Sequence, residues 1–128
     1  MSETGNLFII LDDEQSIRQS IASFLEDEGY EVLCAESAEA ALEIIKAHPV
    51  NAAVVDIRLP GKDGNYFIIE AKKIRPDLKL VIHTGSADYT LPEAVRALGI
   101  TNDHVLIKPV RDLNIILDTL NNYPQTSL

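Results

Sequence analysis

Four short apolar runs in this 128-residue chain are each followed or closed by a residue that can do chemistry. Asp12 and Asp13 come after Leu7–Leu11, Asp56 after Ala52–Val55, Thr84 after Leu78–His83, and Lys108 after Val105–Ile107. Brought to one edge, the three aspartates would repel one another. A like-charge pair about 4 Å apart costs on the order of 4 kcal/mol at an effective dielectric of roughly 20. A positive group must therefore sit among them. A hard divalent ion such as Mg²⁺, which takes oxygen ligands, would relieve the repulsion, and the ammonium of Lys108 would neutralise a further negative charge. The set reads as a phosphoryl-transfer site.

Each member also has an ordinary role: Asp12 or Asp13 as a helix cap, Asp56 as a strand end, Thr84 as a partner for loop backbone. Capping gives no reason for an acid pair, an acid, a hydroxyl and a lysine to follow four different strands.

The elements that must position these groups are written in the apolar spacing. Leu7–Leu11 is unbroken apolar sequence, as in strands covered on both faces. Ile17, Ile21, Phe24 and Leu25 recur at helical spacing and stop at Gly29. Val32–Ala35 predicts a second strand. Ser37 predicts the cap of a helix striped by Ala38, Ala41, Leu42 and Ile45, which His48-Pro49 breaks. Strand three spans Ala52–Val55, a loop runs from Leu59 to Gly64, and a third helix covers roughly Tyr66 to Ile74. Leu78–His83 predicts strand four, Pro92–Leu98 a helix ending at Gly99, and Val105–Ile107 strand five. Leu113, Ile116, Leu117 and Leu120 stripe the last helix. Such alternation predicts an α/β fold, a parallel sheet covered on both faces with right-handed crossovers. Ligands bind beyond the carboxyl ends of strands in such sheets, where the chemical residues stand.

Composition narrows the function classes. The length predicts one domain over residues 1–128. No apolar run approaches the roughly 20 residues that span a bilayer, so no membrane role is expected. The acidic start Met1-Ser-Glu-Thr-Gly5 lacks the layout of a secretory signal, which predicts a cytoplasmic address. Cys34 is the only cysteine and reads as a small buried hydrophobe. A net charge of −9 would repel phosphates, which argues against direct nucleic-acid binding. His48 and His83 lack metal-ligand spacing, and Tyr89 and Tyr123 lack the basic surroundings of a nucleotide platform.

Taken in order, Asp12-Asp13-Glu14, Asp56-Ile-Arg-Leu-Pro-Gly61, Asp63-Gly64, Thr84-Gly85 and Lys108-Pro109 make a pattern. With it the chain resembles the response-regulator receiver domains of bacterial two-component systems, including chemotaxis regulators, over roughly Leu7 to Tyr123. The resemblance implies a flavodoxin-like doubly wound sheet of five strands in order 2-1-3-4-5, with five helices. It implies that Asp56 accepts a phosphoryl group from a phosphohistidine on a sensor histidine kinase or histidine phosphotransfer protein. Mg²⁺ or Mn²⁺ would be held by Asp13, Asp56 and the backbone carbonyl of Arg58, with Asp12 acting through a water. Lys108 would bind a phosphoryl oxygen, Thr84 would turn toward the new group, and Lys108–Pro109 would be cis. Such a module is not a conventional enzyme, although it assists its own aspartyl phosphorylation and dephosphorylation. A downstream protein or a fused output domain would read a face around helix four, strand five and helix five, with the chain a monomer or a phosphorylation-dependent dimer.

Two departures stand out. Receivers usually carry Tyr or Phe three residues before the lysine, where this chain has Val105. His104 lies one place earlier, after a lengthened stretch Ile100–Asp103, and a local register change would bring it into the switch role. The resemblance also implies that Arg58 and Ser86 stand where family members vary and where the side chains would tune phosphoryl lifetime. The competing readings fit less well. A flavin-binding protein needs a phosphate cradle where this chain has Asp-Asp-Glu-Gln. A haloacid-dehalogenase-type phosphatase needs a second acid where Arg58 stands. A receiver-like docking module that works without phosphorylation gives no reason for an intact acid cluster.

Overall fold

The computed structural model describes residues 7–121. Its elements run β1 (Leu7–Leu11), α1 (Gln15–Asp27), β2 (Glu31–Ala35), α2 (Ala38–Ala47), β3 (Ala52–Val55), α3 (Gly64–Ile74), β4 (Lys79–Thr84), α4 (Glu93–Arg96), a 3-10 turn (Asn102–His104), β5 (Val105–Ile107) and α5 (Asn114–Asn121). All five strands pair in parallel in the order β2-β1-β3-β4-β5. The fold is the flavodoxin-like one expected.

β1, β3 and β5 are wholly apolar and β2 and β4 mostly so, because successive side chains enter opposite cores. Ile9, Leu11, Ala53, Val55, Leu80 and Ile82 join one cluster with residues of α2, α3 and α4, including Ile45, Phe67 and Val95. Phe8, Ile10, Val54 and Val81 join the other with Ile21 and Leu25 of α1 and Ile116 and Leu120 of α5.

Register then brings the chemical residues together. Leu11 lies opposite Val55, Val55 opposite Ile82, and Thr84 opposite Ile107, so the strands finish nearly level. The next residues, Asp12, Asp56 and Lys108, emerge at the same edge. Backbone bonds carry the alignment past the strands: Asp56 N–H donates to Leu11 O at 2.8 Å and Lys108 N–H to Thr84 O at 2.8 Å. The edge between β1 and β3 is where the strand order reverses, because the connection from β1 runs outward to β2 on one side and the chain returns to β3 on the other. Open parallel sheets bind their ligands at such an edge.

Local sequence sets the helix starts. Ser37 Oγ accepts from Ala40 N–H at 3.1 Å, capping α2, and Asp63 Oδ1 accepts from Tyr66 N–H at 2.9 Å, capping α3. Gly64 is required for another reason. A Cβ on it would run into the backbone oxygen of Asp56 and crowd the Ile57 Cα, so α3 starts directly against the backbone of Asp56.

Several boundaries differ from the sequence reading. Helix α3 begins two residues earlier than Tyr66, and Thr84 is the last residue of β4 rather than the first after it. Helix α4 is a single turn over Glu93–Arg96 with Pro92 at its cap, because tight bonds such as Leu98 N–H to Val95 O lead straight into Gly99, which has φ +92°. Cys34 is exposed, not buried. It lies on β2, an edge strand, where one flank has no neighbouring strand to cover it. Among the described residues no helix is long and apolar enough to cross a membrane. Tyr123, the acidic start and the end of the chain lie outside the described residues.

Candidate functional site

Asp12 and Asp56 are buried at 2% and 5% exposure, whereas Asp13 faces solvent. Each offers a carboxylate oxygen, and these atoms lie within 4.8 Å of one another. Lys108 reaches into the group from the end of β5, with Nζ donating to Asp12 Oδ2 at 2.8 Å and to Asp56 Oδ2 at 3.3 Å. Glu14 Oε1 is 3.7 Å from the same ammonium. The predicted convergence of Asp12, Asp13, Asp56 and Lys108 is present in the fold.

Asp12 uses both of its carboxylate oxygens. Its Oδ1 accepts from Glu14 N–H at 2.9 Å and so opens the turn into α1, while its Oδ2 holds Lys108. Glu14, the residue at the helix cap, makes no side-chain cap of its own. Arg18 adds a grip that the sequence did not announce: its Nη1 donates to the backbone oxygen of Asp12 at 2.7 Å. The signal was present, since position 18 lies one turn into α1 and faces back along the helix toward its start.

Burial raises the Asp56 pKa above the ordinary carboxylate value. Lys108 pulls it down, and the neighbouring Asp12 charge pushes it up again. Burial alone would lower the Lys108 pKa, but its hydrogen bond and charge contact with Asp12, followed by Asp56, raise it overall. Lys108 therefore stays an ammonium. The donor set consists of hard carboxylate oxygens gathered within reach of one cation, and it suits an oxygen-seeking divalent ion.

Thr84 is fully buried, and its Oγ1 accepts from Ser86 N–H at 3.2 Å. The Lys108–Pro109 bond is cis, as anticipated. Arg58 is exposed in the loop two residues beyond Asp56. Val105 is half-buried against the core of α2, α3 and α4, and pairs with Ile82 in a strand register that continues without a slip to Thr84 and Ile107. His104 is buried in the preceding turn. Its Nδ1 accepts from Thr101 N–H at 2.9 Å, and Thr101 Oγ1 accepts from Asp103 N–H, so the two residues cap that turn reciprocally.

Residues 8–120 match the response regulator receiver domain family. The chain belongs to that family. The transcriptional regulatory protein AruR of Pseudomonas aeruginosa is 35% identical over 115 residues, covering 84% of this chain and 45% of that protein. The chain thus spans less than half the length of curated relatives such as this. A CheY-like receiver from Methanospirillum hungatei JF-1 superposes with a TM-score of 0.77 at 33% identity, over 91% of this chain and 90% of that one. A response regulator from Burkholderia pseudomallei, solved with a phosphorylated aspartic acid, calcium ion and citrate, has a TM-score of 0.80 at 27% identity over 94% of this chain and 67% of that one. Receiver domains serve two-component signal transduction as phosphoacceptor modules, and this receiver has that role.

This receiver carries one buried group that sequence pattern hid inside an apolar run. His83 is 3% exposed, and neither ring nitrogen has a partner among the described residues. On β4 it points to the same side as Val81, toward the α1 and α5 face. Burial, then the Lys108 charge, lowers its pKa from 6.5 to about 4, against a smaller opposing pull from Asp12. The folded state therefore binds fewer protons at His83 than the unfolded state between those values, and stability falls as pH drops through that window. Between about pH 7.5 and pH 5 this single group should remove about 2 kcal/mol. Urea unfolding at both pH values should show that loss in the wild type and a smaller one in His83→Met. Equal losses in the two proteins would rule out the assignment.

Proposed function

We propose that Asp56 is the phosphoacceptor of this receiver, that it is loaded in the cytoplasm by a sensor histidine kinase or a histidine phosphotransfer protein, and that the modification alters a face read by a downstream protein or a fused output domain. The observation that carries this reading is the meeting of Asp12, Asp13 and Asp56 oxygens within 4.8 Å, with Lys108 bonded to two of the three.

Mg²⁺ or Mn²⁺ would be held by Asp13, Asp56 and the carbonyl of Arg58, with Asp12 acting through a water. Bound there, the ion supplies positive charge that offsets the carboxylates and the oxygens of the incoming phosphoryl group. The remaining steps belong to the chain. An Asp56 oxygen attacks phosphorus in line with the phosphohistidine nitrogen; the P–N bond breaks as the O–P bond forms, and the imidazole leaves with the bonding pair. Lys108, already directed at Asp12 and Asp56, presents its ammonium to a phosphoryl oxygen as charge builds there. Thr84 supplies a hydroxyl one strand away, and turning it toward that oxygen gives the phosphorylated state its own loop arrangement.

Acetyl phosphate provides the test. Intact mass measured after incubation in Mg²⁺ should rise by one phosphoryl group, and prior removal of the metal with EDTA should abolish the gain. A wild type left unmodified in Mg²⁺ would favour the phosphorylation-independent docking reading.

A further inference from the structure

Resting on the phosphoacceptor reading above, we propose that Tyr89 and Asn65 form a latch that positions the loop between β4 and α4, and that Thr84 releases it when Asp56 is phosphorylated.

The Tyr89 hydroxyl donates to Asn65 Oδ1 at 2.6 Å, joining the loop after Thr84 to the first turn of α3. Both ends of this bond lead to the site. On one side, Tyr89 N–H donates to Ser86 O at 3.1 Å, and Ser86 N–H donates to Thr84 Oγ1 at 3.2 Å. On the other, Asn65 follows Gly64, whose N–H donates to Ile57 O at 2.9 Å and whose Cα rests on the Asp56 backbone. The Asp56 loop and the Thr84 hydroxyl are thus connected through one phenol–amide bond.

The ring is well placed to report a movement. Tyr89 is half-buried and packs against the core of α2, α3 and α4, the same cluster that Val105 adjoins from β5. Valine at 105 provides no ring there, so Tyr89 is the aromatic group that links this core to the loop. Burial, then the charge of Asp63, pushes its phenol up to about 12, which keeps it protonated and a donor at every working pH.

A Thr84 hydroxyl that turns to a phosphoryl oxygen moves away from Ser86 N–H. The Ser86–Tyr89 turn then loses the bond that sets it, and the phenol is drawn off Asn65. The latch consequently favours the unphosphorylated arrangement and slows phosphorylation. A net hydrogen-bond contribution of ordinary size corresponds to an effect of about two- to tenfold.

Tyr89→Phe, Asn65→Ala and the double variant decide the matter in the full chain. Acetyl phosphate should modify each single variant about two- to tenfold faster than wild type. The double variant should be no faster than either single, because both changes remove one bond. The Mg²⁺ midpoint, read by a metal titration, should stay put, which general structural damage would not allow. Unchanged rates in the single variants, multiplying effects in the double, or a shifted Mg²⁺ midpoint overturn the latch. A wild type that takes up no phosphoryl group overturns the phosphoacceptor reading and the latch with it.

Discussion

Asp56→Asn is expected to take up no phosphoryl group from acetyl phosphate in Mg²⁺ while remaining as stable as the wild type. The two side chains have the same shape, so packing against α3 and the contact with Gly64 are kept. What disappears is the nucleophilic oxygen and its charge. An amide nitrogen has no free electron pair to offer phosphorus, and Asp12 and Asp13 have other duties and positions. Stability should not suffer, because burial and Asp12 already disfavour the ionised form of Asp56. Its pKa is raised, so whatever stability protonation confers is present in acid and is lost as pH rises through the folded value. At neutral pH the asparagine removes a like charge from beside Asp12, and Lys108 keeps its 2.8 Å bond to Asp12 Oδ2. Intact mass and thermal melting on the same samples check both halves. A variant modified at the wild-type rate would move the acceptor elsewhere, and one that fails to fold would contradict the electrostatic account.

Lys108→Met should slow phosphorylation by about 10²- to 10³-fold, the size of effect seen when a preorganised donor to developing negative charge is removed. Methionine retains most of the apolar stem and deletes only the ammonium. The ammonium is placed for this work, since the Lys108 side chain is 14% exposed and lies between two carboxylates from different strands. Its removal also leaves Asp12 and Asp56 facing each other without the cation. Stability should therefore drop in EDTA and recover substantially in Mg²⁺, because an ion held by the same oxygens replaces the missing charge. Phosphorylation rates and melting temperatures with and without metal give both readings. A rate close to the wild type's would remove Lys108 from the chemistry.

Much of this was legible in the chain because the informative residues are neighbours in sequence. A strand covered on both faces is a continuous apolar run, and the residue that closes or follows it stands at the sheet edge whichever strands it pairs with. Asp12, Asp13, Asp56, Thr84 and Lys108 were all found that way. Errors arose where the answer depended on partners far along the chain. Cys34 sits in an apolar run, and only the order of strands makes β2 an edge and leaves that thiol exposed. His83 reads as one more member of the β4 run, yet its buried ring lies in the field of Lys108 and Asp12. The single turn of α4 defeats periodicity, which needs more than one turn to show itself. The strand order came from family resemblance, since alternation of faces carries no information on which strand lies beside which.

The amino-acid sequence by itself determined the kinds of element, their succession, and the inventory of groups at one edge of the sheet, because apolar periodicity and turn chemistry act over a few residues. Only tertiary structure decided how those groups pair. Lys108 meets Asp12 across 96 residues of chain, one Asp12 oxygen serves the turn into α1 while the other serves the lysine, and Tyr89 in the loop after β4 reaches Asn65 in the first turn of α3. Those contacts follow from strand register and helix docking, which bring distant residues within about 3 Å and which no local pattern encodes.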